Sequence, residues 1–269
     1  MMKQRLDTLL VDLGLSPSRQ QAQRLIQAGE VMVNQTVIDK AGTEVDKKAE
    51  IQVKERPPFV SRGGEKLAKA LKFFGISVNQ RICLDGGIST GGFTDCLLQN
   101  GAEKVYGIDV GYGQVDWKIR TDERVILKER TNLRELQPEQ LYPENTTLPD
   151  LIVVDVSFIS LTKVLPAIWH LTQAPREAIL LVKPQFEVGK NRVGKKGVVR
   201  EPKDHADAIF QVLQTALELG WKYRGLTFSP ITGPAGNIEY LLWLGMESEI
   251  SALDLAEIQE MTKNAVKEF

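Results

Sequence analysis

Residues 83–94 read Cys83-Leu-Asp-Gly-Gly-Ile-Ser-Thr-Gly-Gly-Phe-Thr94. The run follows an apolar segment of strand length, residues 81–84, and precedes a stretch of helical pattern. It therefore reads as the turn between the first strand and the first helix of a β-α-β unit. Glycine N–H groups and a helix N-terminus then face whatever sits above the strand ends, which makes the turn a ligand site by topology. Outward from it the rhythm repeats, with short apolar runs at residues 105–108, 125–127, 151–154 and 178–182, most of them separated by segments of helical length. This predicts an α/β fold, with a mostly parallel sheet, right-handed crossovers and helices on both faces. A late pair, residues 222–228 and 237–244, has only a short Pro/Gly connection and reads as a hairpin closing a seven-stranded sheet antiparallel. Residues 248–269 pattern as an amphipathic surface helix.

Upstream, the chain divides near Lys54-Glu-Arg-Pro-Pro-Phe59, where successive prolines hold the backbone extended. A linker over residues 54–60 then separates a first domain, 1–58, from a second, 59–269. In the first, residues 5–15 set Leu6, Leu9, Leu10 and Leu15 at helical spacing, with Gly14 as the stop. A second helix is capped by Ser16 or Ser18, buries Ala22, Leu25 and Ile26, and ends at Gly29. Residues 31–33 and 37–38 alternate around a polar turn, and residues 51–53 add a strand, so the segment is a small α+β module.

The composition bounds the function. The 269 residues are 42% hydrophobic and 26% charged, with 34 Lys+Arg against 35 Asp+Glu and a net charge of −1. Disordered and fibrous classes are excluded, and so is a general polyanion binder; nucleic acid would have to be held by local patches. The N-terminus carries Asp7 and Asp12 and lacks a cleavage site, and no apolar run approaches the roughly 20 residues that span a bilayer. A soluble, cytoplasmic protein is expected. Two cysteines, Cys83 and Cys96, read as buried thiols, and two histidines, His170 and His205, leave no cluster at metal-ligand spacing.

The second strand ends at Asp109, roughly 20 residues after the glycines, where an acid can accept hydrogen bonds from a ribose diol. An adenosine-containing cofactor follows. A dinucleotide needs room for a pyrophosphate over the turn, whereas Asp85 puts an anion there. That acid suits a ligand with a positive amino group, which favours S-adenosylmethionine over NAD.

At these residues the chain resembles a known family. The segments Ser61-Arg-Gly-Gly-Glu-Lys-Leu67, Asp85 to Asp95, Asp109-Val-Gly-Tyr-Gly-Gln114, Glu129-Arg-Thr-Asn132, Asp155-Val-Ser-Phe-Ile-Ser160 and Lys183-Pro-Gln-Phe-Glu187 resemble the TlyA family. Those proteins join an S4 RNA-binding domain to an FtsJ-like, Rossmann-like methyltransferase domain, and often bear the name hemolysin. The resemblance implies ribose 2′-O-methylation of ribosomal RNA, with cytidine as the target and S-adenosylmethionine as methyl donor. It implies cofactor contacts from Asp85, Gly87, Ser89, Thr90, Gly91, Gly92, Phe93, Asp109 and Asn132. It also carries the family's Lys-Asp-Lys-Glu tetrad onto Lys66, Asp155, Lys183 and Glu239, with Lys183 as general base. Such a base suits the chemistry, because an unperturbed 2′-hydroxyl is a poor nucleophile. One departure stands in the cofactor loop, where Gly86 and Ile88 replace the more usual Val and Ala and set a bulkier side chain near the methionine pocket.

Candidate RNA contacts fall in two places. Residues 190–204 carry six basic against two acidic side chains, with Arg192, Lys195 and Lys196 at the centre of a glycine-punctuated loop. The first domain offers Arg5, Arg19 and Arg24, and Arg62 follows the linker. Arginine bridges phosphates bidentately, and structural RNA is read mainly by shape and backbone. Ribosomal RNA or a ribosomal subunit is the expected partner. A membrane-active hemolysin and an RNA-binding protein without catalysis are the alternatives.

Overall fold

The computed structural model describes residues 3–54 and 57–269. Residues 55 and 56 of the expected linker lie outside the described residues. The chain forms two compact units, Met1–Pro57 and Pro58–Phe269.

In the first unit five short strands, β1 (Lys3–Arg5), β2 (Val31–Val33), β3 (Thr36–Val37), β4 (Glu44–Asp46) and β5 (Ile51–Val53), accompany helices Leu6–Asp12 and Arg19–Gln27. β1 pairs with β4, and β3-β2-β5 form a second small sheet. The first helix is shorter than its periodicity suggests because Arg5 belongs to β1 and the chain leaves the helix through Gly14, at φ 71°. Ser18 rather than Ser16 caps the second helix, accepting from the Gln21 N–H at 3.2 Å. Leu6, Leu9, Leu10, Ala22, Leu25, Ile26, Val31 and Val45 close the core.

In the second unit a seven-stranded sheet contains β6 (Ile82–Gly86), β7 (Lys104–Ile108), β8 (Val125–Lys128), β9 (Leu151–Val154), β10 (Glu177–Val182), β11 (Lys222–Phe228) and β12 (Tyr240–Gly245). Their order across the sheet is β11-β12-β10-β9-β6-β7-β8. β12 alone is reversed, pairing antiparallel with both β10 and β11, while the other pairs are parallel. The expected hairpin is present, and its second strand is the inner one: β12 inserts between β10 and β11. Tyr240, Leu241, Leu242 and Leu244 of β12 are fully buried, whereas β11 exposes Lys222 and only half-buries Arg224, so the apolar strand takes the interior place.

Alternate residues of each strand supply two cores. Cys83, Val105, Leu151, Val153, Ile179 and Leu241 pack against helices Gly63–Phe74 and Gly92–Gln99. Leu84, Ile108, Ile152, Val154, Leu180 and Leu242 pack on the other face, against helices Leu165–His170, Pro202–Glu218 and Leu255–Glu268. The last helix begins later than residue 248 because Asp254 and Glu257 form a reciprocal cap. Both cysteines are free and buried, and burial pushes each thiol up to about 12. The chain leaves β6 for β7 on one side and later returns to β9 on the other. The strand order therefore reverses at β6, and the crevice at its carboxyl end is where open α/β sheets bind ligands.

Candidate active site

The glycine turn is locked to the neighbouring strand. Gly87 N–H and Ile88 N–H both donate to the Ile108 carbonyl, at 2.8 and 3.0 Å. Gly87 sits at φ 91°, and a Cβ there would stand 2.5 Å from the Asp155 carbonyl oxygen, so no other residue fits. Asp109 completes the turn, accepting from Ser89 N–H at 2.8 Å and Gly111 N–H at 2.7 Å. Over this floor opens a cavity of about 350 Å³ whose walls include Gly87, Ser89, Asp109, Asn132, Asp155 and Phe158. A second cavity of about 220 Å³ is lined by Arg62, Lys66, Thr90, Gly92, Phe93 and again Gly87, Ser89 and Asp155. The shared residues make the two adjoining halves of one crevice.

Two expected cofactor residues line neither cavity. Gly91 is the N-cap of helix Gly92–Gln99, at φ 101°. Asp85 lies beneath the turn, 1% exposed, with one carboxylate oxygen accepting from Thr94 Oγ1 at 2.7 Å. Its other oxygen, Oδ1, is buried with no hydrogen-bond partner among the described residues. Burial raises its pKa to about 7 against the Thr94 hydrogen bond, and the charge of Asp155 pushes the same way. An orphaned buried acceptor of this kind fits a ligand ammonium. Ile88 lines the smaller cavity; it is 3% exposed and also fills the space over Gly107, where a Cβ would come within 2.4 Å of Ile88 Cδ1.

The four tetrad residues form two ion pairs. Lys66 Nζ lies 2.5 Å from Glu239 Oε2, and Lys183 Nζ lies 2.5 Å from Asp155 Oδ1. Lys66, Lys183 and Glu239 are each buried, at 7%, 8% and 1% exposure. Lys66 reaches this place because helix Gly63–Phe74 closes on helix Gly92–Gln99; a Cβ on Gly92 would lie 2.9 Å from the Gly64 nitrogen. Lys66 and Asp155 line the crevice directly, and Lys183 joins it through Asp155. Two cations and two anions leave the cluster formally neutral, which is how buried charges are tolerated.

The basic loop is anchored beside the tetrad. Asn237 accepts from Val199 N–H at 3.0 Å and donates to Gly197 O at 2.9 Å, while His205 bridges Val199 O at 2.9 Å and Tyr240 Oη at 2.7 Å. The Val199 carbonyl can only accept, so His205 Nε2 carries the proton; burial holds this imidazole below its ordinary pKa. Lys195 and Lys196 are exposed at the tip of a turn closed by Gly194 N–H to Val198 O at 3.0 Å. Arg192 instead pairs with Asp207 at 2.6 Å and Asp204 at 3.3 Å, so its charge is largely neutralised within the protein. Arg62 is exposed at the rim. In the first unit Asp7 is fully buried and accepts from Arg5, Arg19 and Gln23, all at 2.9 Å. The Arg5 hydrogen bond holds this carboxyl well below the usual carboxylate range. Arg5 and Arg19 are thus fixed at their inner ends and exposed beyond them, while Arg24 is exposed on the same helix as Arg19.

Three residues escaped the sequence reading. Phe158 is 91% exposed at φ 65°, lines the larger cavity and has its ring 5.1 Å from that of Phe186. Ser157 accepts from Lys183 Nζ at 2.8 Å. Glu187, buried and with its pKa raised by that burial, accepts from Ser160 Oγ at 2.5 Å and Leu161 N–H at 2.8 Å. The only signal was their place within the Asp155 to Ser160 and Lys183 to Glu187 segments; nothing in their residue types marks a role.

Comparison with known proteins places this architecture. The FtsJ-like methyltransferase family matches residues 59–246, and the S4 domain matches residues 4–51. The candidate rRNA methyltransferase YqxC of Bacillus subtilis is 47% identical over 98% of this chain and 95% of its own. The 16S/23S rRNA (cytidine-2′-O)-methyltransferase TlyA of Mycobacterium tuberculosis is 45% identical over 98% of this chain and 97% of its own. Among solved structures, a candidate hemolysin from Streptococcus thermophilus superposes with a TM-score of 0.74 at 42% identity, covering 100% of this chain and 98% of that one. A glycine turn over a crevice floored by two lysine–carboxylate pairs, in a chain matched from end to end by such relatives, belongs to the TlyA family of FtsJ-like methyltransferases with an N-terminal S4 domain.

Proposed function

We propose that this protein is an S-adenosylmethionine-dependent 2′-O-methyltransferase acting in the cytoplasm on cytidine in ribosomal RNA, with residues 1–58 as an S4-type positioning domain and residues 59–269 as the catalytic one. The observation that carries the chemistry is the joining of two cavities at Gly87, Ser89 and Asp155, with both lysine–acid pairs beneath the join. The larger cavity is the cofactor's, with Asp85 accepting from its amino group, Asp109 and Asn132 toward its ribose and the Gly87 turn beneath it. The bound sulfonium supplies an electrophilic methyl group. The smaller cavity takes the acceptor ribose between Arg62, Lys66 and Asp155.

Lys183, in its neutral form, takes the 2′-hydroxyl proton as the new O–CH₃ bond forms. Asp155 orients that amine. Lys66, held by Glu239, donates to the ribose and keeps the site's charge balanced. Lys195, Lys196 and Arg62 hold the phosphate backbone around the target nucleotide, with Arg5, Arg19 and Arg24 binding RNA elsewhere. The curated relative from Mycobacterium tuberculosis carries the same activity in its name. Among the described residues no helix is long and apolar enough to cross a membrane, so nothing in the fold favours the hemolysin reading.

The test is transfer of labelled methyl groups to ribosomal subunits, followed by mapping of the product. Label appears as 2′-O-methylcytidine with the wild type and is absent with Lys183→Ala, which still binds cofactor by calorimetry. Label on a base, or full activity in Lys183→Ala, overturns the assignment.

A further inference from the structure

Lys183 Nζ donates to Ser157 Oγ at 2.8 Å and is ion-paired with Asp155 Oδ1 at 2.5 Å, an oxygen that has no hydrogen-bond partner among the described residues. Both come from one segment: residues 155 and 157 are two apart in the irregular stretch that follows β9, and both line the larger cavity. A tetrahedral amine nitrogen has one direction bonded to carbon and three remaining. With one N–H directed at Ser157, the rotation about the Cε–Nζ bond is set and two directions of the nitrogen are left. In the charged amine both hold protons. In the neutral amine one of them holds the lone pair.

We infer that Ser157 is a positioning residue for methyl transfer: its hydroxyl accepts the hydrogen bond that sets the rotation of the Lys183 amine, and so holds the directions in which the neutral form can present its lone pair. The inference rests on Lys183 being the general base. Asp155 pairs with the amine by charge, without a hydrogen bond, and leaves rotation about the Cε–Nζ bond free. The hydroxyl of Ser157 removes that freedom before the substrate arrives, which is the pre-organisation that acid–base catalysis rewards. It also stabilises the charged amine by accepting from it, an effect distinct from orientation. The nearest charge on Lys183, Asp155, is unchanged by substitution at 157, and Phe186, 5.9 Å away, carries none. A change in pH response on altering Ser157 therefore reports the loss of that acceptor.

The experiment uses the full chain, ribosomal subunits and labelled S-adenosylmethionine, with single-turnover rates measured against pH for wild type, Ser157→Ala, Ser157→Thr and Lys183→Ala. Ser157→Ala slows methyl transfer about tenfold at saturating cofactor and RNA, a fraction of the general-base contribution. Its half-saturating RNA concentration changes less than about twofold. The rising limb of its rate–pH profile moves to lower pH, because an acceptor of the charged amine is gone. Ser157→Thr, which keeps the hydroxyl, restores both the rate and the limb. A Ser157→Ala rate within about twofold of wild type, a loss confined to RNA affinity, or an unmoved limb overturns the inference. Activity in Lys183→Ala instead refutes the base assignment itself, so the two failures are told apart.

Discussion

Acidification should weaken cofactor binding through Asp85. This carboxyl is buried under the glycine turn with one oxygen unpartnered, and its pKa is raised from 3.8 to about 7, chiefly by burial. A ligand ammonium at that oxygen favours the ionised form and returns the group toward its ordinary range. Binding is then strong to the ionised protein and must expel a proton from the neutral one. With a free-protein pKa near 7, roughly three-quarters of the molecules are ionised at pH 7.5 and only about 3% at pH 5.5. Affinity should therefore fall roughly 20-fold between those pH values, or about 2 kcal/mol. Calorimetry with S-adenosylhomocysteine, which keeps the amino group and does not react, measures this directly; repeating it in buffers of different ionisation enthalpy counts the proton released. Asp85→Asn should bind weakly with a Kd nearly constant over the same range, and 5′-methylthioadenosine, which lacks the ammonium, should show no slope with wild type. A wild-type Kd constant within threefold, or the same slope with 5′-methylthioadenosine, would refute the role given to Asp85.

Two other outcomes are expected. Gly87→Ala combines a positive φ with a Cβ 2.5 Å from the Asp155 carbonyl, so it should cost about 1–3 kcal/mol of stability and abolish cofactor binding; thermal melting and calorimetry read the two effects. Replacing Lys195 and Lys196 together by Ala should lower RNA affinity and reduce the slope of log affinity against log salt by roughly 1–2, with cofactor affinity unchanged, as filter binding at several salt concentrations would show.

The parallel strands β6, β7, β9 and β10 of the second unit were legible because each is an apolar run buried on both faces, and the edge strand β8 because it is apolar although Ile126 is exposed. Asp109, Asp155 and Lys183 were legible because the residue that ends such a strand must stand at the crevice. The place of β12 was not, since a short connection specifies a hairpin but not which arm lies inward. That choice depends on burying Tyr240 to Leu244 between β10 and β11, a contact far from the turn in sequence. The tetrad's residues could be named, but its division into Lys66–Glu239 and Lys183–Asp155 could not: Lys66 and Glu239 are 173 positions apart. Likewise the sequence places Ile88 by the crevice, which it lines, but does not show Gly107 beneath it. Arg192 looked like a free cation until Asp207, from the next helix, came within 2.6 Å.

The pairing of Lys66 with Glu239 also has a bearing on when the protein can work. Lys66 is made early in the second unit, while Glu239 immediately precedes its last strand. A nascent chain that ends between residues 183 and 239 holds the glycine turn, Asp155 and Lys183, yet leaves Lys66 without its carboxylate. β12 must be synthesised and slotted between β10 and β11 before the second pair can close. On the proposed function, catalytic competence then follows completion of the domain's sheet.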